Sequence, residues 1–250
     1  MPLDREFVRA ALPSLEGQTY LNTGGAGPLT VAAARALHAA VERSLGAGRM
    51  SLAAVESGEA MVAGLRADIA TLLGDVPEHI AVTVNTTHGV NAVVWGMDWT
   101  PGDVVVTTAL EHPGLAAPLA TLARRRGVHL EVIGAEEAQA DLAGAVARLA
   151  GPRTRLVALS HVAYGTGALL DVAGAARAAR SVGALTLVDG AQTVGAIPVA
   201  PASLGVDAYA FPAHKWLLGP EGLGGLWISE GCRERLDVTF AGYVSGTDHV

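Results

Sequence analysis

Seven short runs of β-branched and other apolar residues punctuate the chain: "IAVTVN" (80–85), "DVVVTT" (103–108), "HLEVIG" (129–134), "TRLVALS" (154–160), "LTLVDG" (185–190), "DAYAFP" (207–212) and "LGGLWIS" (223–229). Between them lie "THGVNAVVWGM", "GLAAPLATLARRRG", "EEAQADLAGAVARLA" and "VAGAARAARSVG". Their apolar residues recur at spacings of three and four, the signature of a helix with one buried face. The alternation predicts an α/β fold whose sheet has about seven strands, is mostly parallel and is covered by helices on both faces. The last run follows its neighbour through a short glycine-rich segment, which predicts antiparallel pairing there. Two more helical segments, 30–45 and 52–74, precede the first strand and are expected on the outside.

In such sheets ligands bind beyond the carboxyl ends of the strands, so the residues just after each run carry the information. In order they are Asn85, Thr86, Thr87 and His88; Glu111 and His112; Ser160 and His161; Asp189 and Gln192; His214 and Lys215. That many polar groups converging on one edge predict a site.

Composition sharpens the picture at one residue. Lys215 is the only lysine among 17 basic residues. Arginine stays protonated, whereas a lysine amine can be desolvated, lose its proton and attack a carbonyl. A single cysteine, Cys232, excludes an internal disulfide framework and any multi-cysteine metal site. A net charge of −7 with scattered arginines argues against a nucleic-acid surface. The one basic cluster, Arg124 to Arg126, is expected to end a helix, where cations suit the negative pole. No apolar run reaches membrane-spanning length. These features lead to the expectation of a soluble cytoplasmic protein with a small-molecule substrate, not a nucleic-acid or membrane partner.

If Lys215 holds an aldehyde as a Schiff base, an electron sink is needed, and a pyridine ring serves while a buried carboxylate keeps its nitrogen protonated. Asp189 is placed to be that carboxylate. Gln192 is placed to reach the ring hydroxyl and His112 to stack on the ring. Thr86 and Thr87 open a helix whose free amides suit a phosphate. Singly, each has an ordinary structural use as a helix cap or a core histidine. Together, and in this order, they describe pyridoxal 5'-phosphate.

The same segments carry a family resemblance. "YLNTGGAGPLT", "NTTHGVN", "EHPG", "SHVAYGTGALLDV" and the long stretch from "LVDGAQ" through "FPAHKWLLGPEGLGGLWIS" resemble the class V aminotransferase family of fold-type I pyridoxal phosphate enzymes, which includes cysteine desulfurases, isopenicillin N epimerase-like proteins and kynureninases. The resemblance covers nearly the whole chain. It implies a three-layer large domain in which Lys215 forms the Schiff base, Asp189 pairs with the ring nitrogen, Gln192 meets the ring oxygen, His112 stacks, and Thr86 with Thr87 cradles the phosphate. It also implies an amino acid or amine substrate, transferase or lyase chemistry, and a homodimer.

Two departures stand out. Many members carry a phosphate-binding serine two residues before the His-Lys pair; here that position is Pro212, with neither hydroxyl nor amide hydrogen to offer. His214 is the neighbouring group able to compensate. Members also continue into a small C-terminal domain, whereas this sequence stops at Val250. The expected organisation is therefore a cofactor-binding large domain over 1–250, opening with a helical segment over about 1–75, without the C-terminal small domain. A catalytically inactive cofactor-binding or partner protein is the alternative that this organisation raises. Cysteine desulfurase-type lyase chemistry is another, although Cys232, beside charged helical residues, reads as a structural thiol and not a sulfur carrier. The "NTGGAGP" loop lines the site or simply turns the chain into the helix at Thr30. A nicotinamide reductase is excluded: Phe211 stands where a catalytic tyrosine would be, and no G-x-G-x-x-G run follows a first strand. The eight histidines show no metal-ligand spacing.

Overall fold

A computed structural model describes residues 4–242; residues 1–3 and 243–250, including Val250, lie outside it. Three helices, α1 (Arg5–Ala11), α2 (Val31–Ala47) and α3 (Leu52–Leu73), precede strand β1 (Ile80–Thr83). There follow α4 (Thr86–Gly96), β2 (Val104–Thr108), α5 (Pro113–Arg126), β3 (His129–Ile133), α6 (Ala135–Leu149) and β4 (Thr154–Ser160). The chain continues through α7 (Val172–Ser181), β5 (Leu185–Asp189), α8 (Pro201–Leu204), β6 (Ala208–Pro212), β7 (Gly224–Ile228) and α9 (Glu230–Arg233).

The strands form one sheet in the order β1-β7-β6-β5-β4-β2-β3. Only β7 is reversed, antiparallel to both β6 and β1, as the short glycine-rich link predicts. Central strands read as unbroken apolar runs because both faces are covered. Val157, Leu159 and Val188 pack toward α3, α6 and α7, while Leu156, Leu185 and Leu187 pack toward α4 and α5. This alternation is the period of two that puts successive side chains on opposite faces. Each fully buried Leu or Val contributes roughly 1.5–3 kcal/mol, so these two clusters hold the three layers together. Among the described residues no helix is long and apolar enough to cross a membrane.

Local chemistry sets the element ends. Arg124, Arg125 and Arg126 fill the last turn of α5, which Gly127 closes at φ 67°, a left-handed value glycine adopts without a Cβ penalty. Asn85 leaves β1 early because its side chain caps α4, accepting from the His88 amide at 2.8 Å, so β1 is shorter than the apolar run. The pattern over α6 predicts one straight helix, but Asp141 breaks it at φ −157°, ψ 72°. Its Oδ1 accepts from the Gly144 amide at 2.9 Å, a local bond that competes with the helical one.

Candidate active site

Strands β1, β2, β4, β5 and β6 all end at the same edge, which gathers the polar residues that follow them. A cleft of about 670 Å³ opens there, with His112, Gln192, His214 and Lys215 on its wall beside Asn22 and Tyr164.

Lys215 lies in the tight turn after β6. Gly219 N donates to Ala213 O at 2.9 Å, and Leu218 takes a left-handed φ of 55°, an uncommon and strained conformation for a side chain of its size. Two glycines hold this turn from outside. Gly27 N donates to His214 O at 2.7 Å, and a Cβ on Gly27 would sit 2.1 Å from Lys215 O. A Cβ on Gly195 would sit 2.5 Å from the Trp216 carbonyl carbon. The "NTGGAGP" loop therefore serves both of its expected uses: it lines the cleft, and it delivers Thr30, whose side chain caps α2. Burial lowers the pKa of the Lys215 amine, and the Asp189 carboxylate partly offsets that. Among the described residues no hydrogen-bond partner engages this amine.

Asp189 ends β5 beneath the cleft, 5% exposed. Burial raises its pKa, opposed by the Ala191 amide at 2.8 Å and by the charges of Lys215 and His112. Lys215 and Asp189 thus stabilise each other's charged forms. If the amine goes neutral, the carboxylate needs another cation. Gln192, one turn on, is locked in both directions: its Nε2 donates to Gly24 O at 2.9 Å and its Oε1 accepts from Trp216 Nε1 at 2.7 Å. The second Nε2 hydrogen is left for a ligand oxygen.

His112 caps α5, its Nδ1 accepting from Gly114 N at 3.0 Å, and its ring meets Tyr164 edge-on at 5.0 Å. Thr87 adjoins it, since a Cβ on Gly114 would lie 2.6 Å from Thr87 Oγ1 and 3.1 Å from His112 Nδ1. Thr86 is brought to the same helix start and is buried at 8%; like Thr87, it stands off the cleft wall. Pro212 pairs with Gly224, whose Cβ would lie 3.1 Å from Asn85 Cα. The missing hydroxyl therefore belongs to the neighbourhood of the α4 N-terminus. On the cleft wall, His214 Nδ1 is buried without a hydrogen-bond partner.

Four residues acquire roles that the sequence reading left unassigned. Glu111 is buried between the hydroxyls of Thr108 and Ser160. His161 Nδ1 meets the Tyr209 hydroxyl at 2.7 Å, and that hydroxyl meets Thr193 Oγ1 at 2.5 Å. Thr193 and the His161 amide in turn bind Gly190 O and Asp189 O, so the chain braces the segment carrying Asp189. The signal available in sequence was a tyrosine inside an all-buried strand, whose hydroxyl must find a partner. Cys232 is fully buried on α9, and burial raises its thiol pKa to about 12, with Asp207 adding to the rise.

The pattern of the aminotransferase class-V family matches residues 20–246. A probable cysteine desulfurase of Methanothermobacter thermautotrophicus is 32% identical over 238 residues, 95% of this chain and 59% of that protein. The isopenicillin N epimerase of Streptomyces clavuligerus is 34% identical over 230 residues, covering 88% of this chain and 55% of the epimerase. The cystine C–S lyase C-DES, solved with its product cysteine persulfide, is 36% identical with a TM-score of 0.90, covering 96% of this chain and 64% of the lyase. A C-DES variant was also solved with glycine covalently linked to its pyridoxal phosphate cofactor. The chain thus spans 55% to 64% of the length of these proteins.

Proposed function

The chain belongs to the aminotransferase class-V family, and from that premise we propose that it is a pyridoxal phosphate-dependent enzyme acting on an amino acid, with carbon–sulfur bond cleavage as the favoured reaction. The observation that carries the reading is the sole lysine, half-buried at the cleft with its amine pKa lowered and a buried carboxylate acting on it.

The residues present fit the cofactor. His214 Nδ1 is a buried polar atom without a partner, and among the described residues the hydroxyls and amides of Thr86 and Thr87 also lack hydrogen bonds, the His88 amide being taken by Asn85. These are donors for a phosphate at a helix N-terminus. They offset the loss of a serine at Pro212, a charge-assisted bond of roughly 1.5–3 kcal/mol. Gln192, held by Gly24 and Trp216, would give its free Nε2 hydrogen to a ring oxygen, and His112 would offer a ring edge-packed on Tyr164. When bound, pyridoxal phosphate supplies an electron sink that lets a bond at the substrate α-carbon break.

The protein's own part is proton and charge management. Burial lowers the Lys215 pKa and so makes a neutral Nζ, able to accept a proton from an α-carbon at the cleft, easier to reach. While Lys215 is neutral, the Asp189 carboxylate is free to pair with another cation, and it would hold the proton on a ring nitrogen of the bound cofactor. The turn from Ala213 to Gly219 fixes the Lys215 backbone at the cleft.

The carbon–sulfur reading draws on the sulfur-cleaving relatives and narrows the expectation of transferase or lyase chemistry to a lyase. Cys232 takes no part in it, because a buried thiol with a pKa near 12 is neither reachable nor ionised. Assembly as a homodimer belongs to the same proposal, and the mass of the protein in solution tests it. The functional test is incubation with pyridoxal phosphate and L-cystine or L-cysteine, following sulfide and persulfide release. We expect release that Lys215→Ala abolishes and Cys232→Ser leaves unchanged. Cofactor binding without spectral response to any amino acid overturns the enzyme reading, and loss of release in Cys232→Ser returns sulfur transfer to that thiol.

A further inference from the structure

The chemistry proposed above makes no use of Glu111, although it stands next to His112 and is only 8% exposed. Both of its oxygens are held: Thr108 Oγ1 donates to Oε1 at 2.5 Å and Ser160 Oγ donates to Oε2 at 2.6 Å. Thr108 ends β2 and Ser160 ends β4, so the carboxylate ties the loop presenting His112 to the neighbouring strand, at the point where the strand order switches direction. Ser160 pairs in register with Asp189 at the end of β5. Two buried carboxyls therefore flank one serine, and among the described residues no salt bridge neutralises Glu111. The titratable groups around it are Asp189 at the end of β5, His112 next in sequence, His161 one residue past Ser160, and Lys215 beyond Asp189. Asp189 is the one whose charge acts on it.

We propose that Glu111 is a positioning residue of the cofactor site, holding the His112 loop on β4 and coupling its own proton, through Asp189, to the charge of the group that Asp189 faces. The inference rests on the cofactor reading above.

Burial raises the Glu111 pKa to about 7; Ser160 and Thr108 oppose the rise, and the repulsion of Asp189 adds to it. A cation placed against Asp189 offsets that repulsion, and Glu111 then releases its proton more readily. Any group whose pKa falls on binding makes binding tighter as pH rises through it. Loading the site with a cationic ring nitrogen therefore expels a fraction of a proton from Glu111, and affinity gains a component that rises with pH around neutrality.

The test is the dissociation constant of pyridoxal phosphate between about pH 6 and about pH 8, with the protons released per molecule bound, read by calorimetry in buffers of different ionisation enthalpy. Wild type should release more protons near pH 7 than Glu111→Gln, and its affinity should rise more steeply with pH. Ser160→Ala removes a hydrogen bond favouring ionised Glu111 and should move the step to higher pH. It decides the matter alone if Glu111→Gln does not fold. Equal proton release and parallel pH profiles in wild type and Glu111→Gln, or an unmoved step in Ser160→Ala, overturn the coupling and leave the cofactor reading intact. Failure of wild type to bind pyridoxal phosphate overturns the cofactor reading itself and the coupling with it.

Discussion

Tyr209→Phe removes one oxygen from the middle of a buried chain whose hydrogens can be assigned by counting. Thr193 Oγ1 donates its only hydrogen to Gly190 O at 2.9 Å, so it accepts from the Tyr209 hydroxyl at 2.5 Å. That hydroxyl, its hydrogen spent, accepts from His161 Nδ1–H at 2.7 Å. His161 is thus the Nδ1-protonated tautomer, and burial, which lowers its pKa, keeps it neutral at pH 7. In the phenylalanine variant the imidazole N–H is left buried without a partner, at a cost of about 1–3 kcal/mol. A loss of about 2 kcal/mol in a chain of this size lowers Tm by roughly 4–8 °C. Urea unfolding followed by tryptophan fluorescence should show the midpoint fall with the slope unchanged, since the folded surface is the same. Thr193→Val should cost a similar amount, because it strands the Tyr209 hydroxyl hydrogen and leaves Gly190 O without the Thr193 donor. Nitrogen NMR of His161 gives the second readout. A loss below about 0.5 kcal/mol, or an imidazole protonated on Nε2 with Nδ1 bare, refutes the assignment.

Three other outcomes follow from the same geometry. Gly27→Ala places a methyl against backbone, 2.1 Å from Lys215 O, and should cost about 1–3 kcal/mol and weaken cofactor binding. Gly25→Ala meets only the tip of Asn22, and equal losses in the two variants, measured by melting and titration, would count against the clamp. Asp189→Ala should keep covalent attachment to Lys215 while turnover falls at least about 100-fold, roughly 2.7 kcal/mol of transition-state stabilisation; unimpaired turnover would remove the carboxylate from the account. In the cofactor-free protein, Glu111 has its pKa raised from the usual 4.5 to about 7, so its contribution to stability is complete below about pH 4.5 and is lost as pH rises through about 7. Against Glu111→Gln, wild type should lose about 3 kcal/mol between about pH 4 and about pH 8, and parallel denaturation curves across that range would contradict it.

The strands and helices were legible because a doubly covered sheet writes its strands as unbroken apolar runs and its helices as spaced ones. The edge residues were legible for the same reason: Lys215, Gln192 and His112 follow strands that end together. Contacts that depend on strand order were not. Glu111 and Ser160 are 49 positions apart and meet only because β4 lies beside β2, and His161 meets Tyr209 across 48 positions. The sequence shows Gln192 as a free amide, but the fold engages it with Gly24 and Trp216 before any ligand arrives. Thr86 and Thr87 both follow β1, yet neither lines the cleft itself. Asp141 reads as one more polar residue on a helix until its own carboxylate is seen competing for the backbone.

The most direct test of the central claim is borohydride reduction of the protein with bound pyridoxal phosphate, followed by peptide mapping. The account predicts a visible band that reduction abolishes and a pyridoxyl group fixed on Lys215, the only side-chain amine of its kind in the sequence. Bound cofactor that reduction leaves unattached, or an adduct confined to the α-amino group, would contradict it.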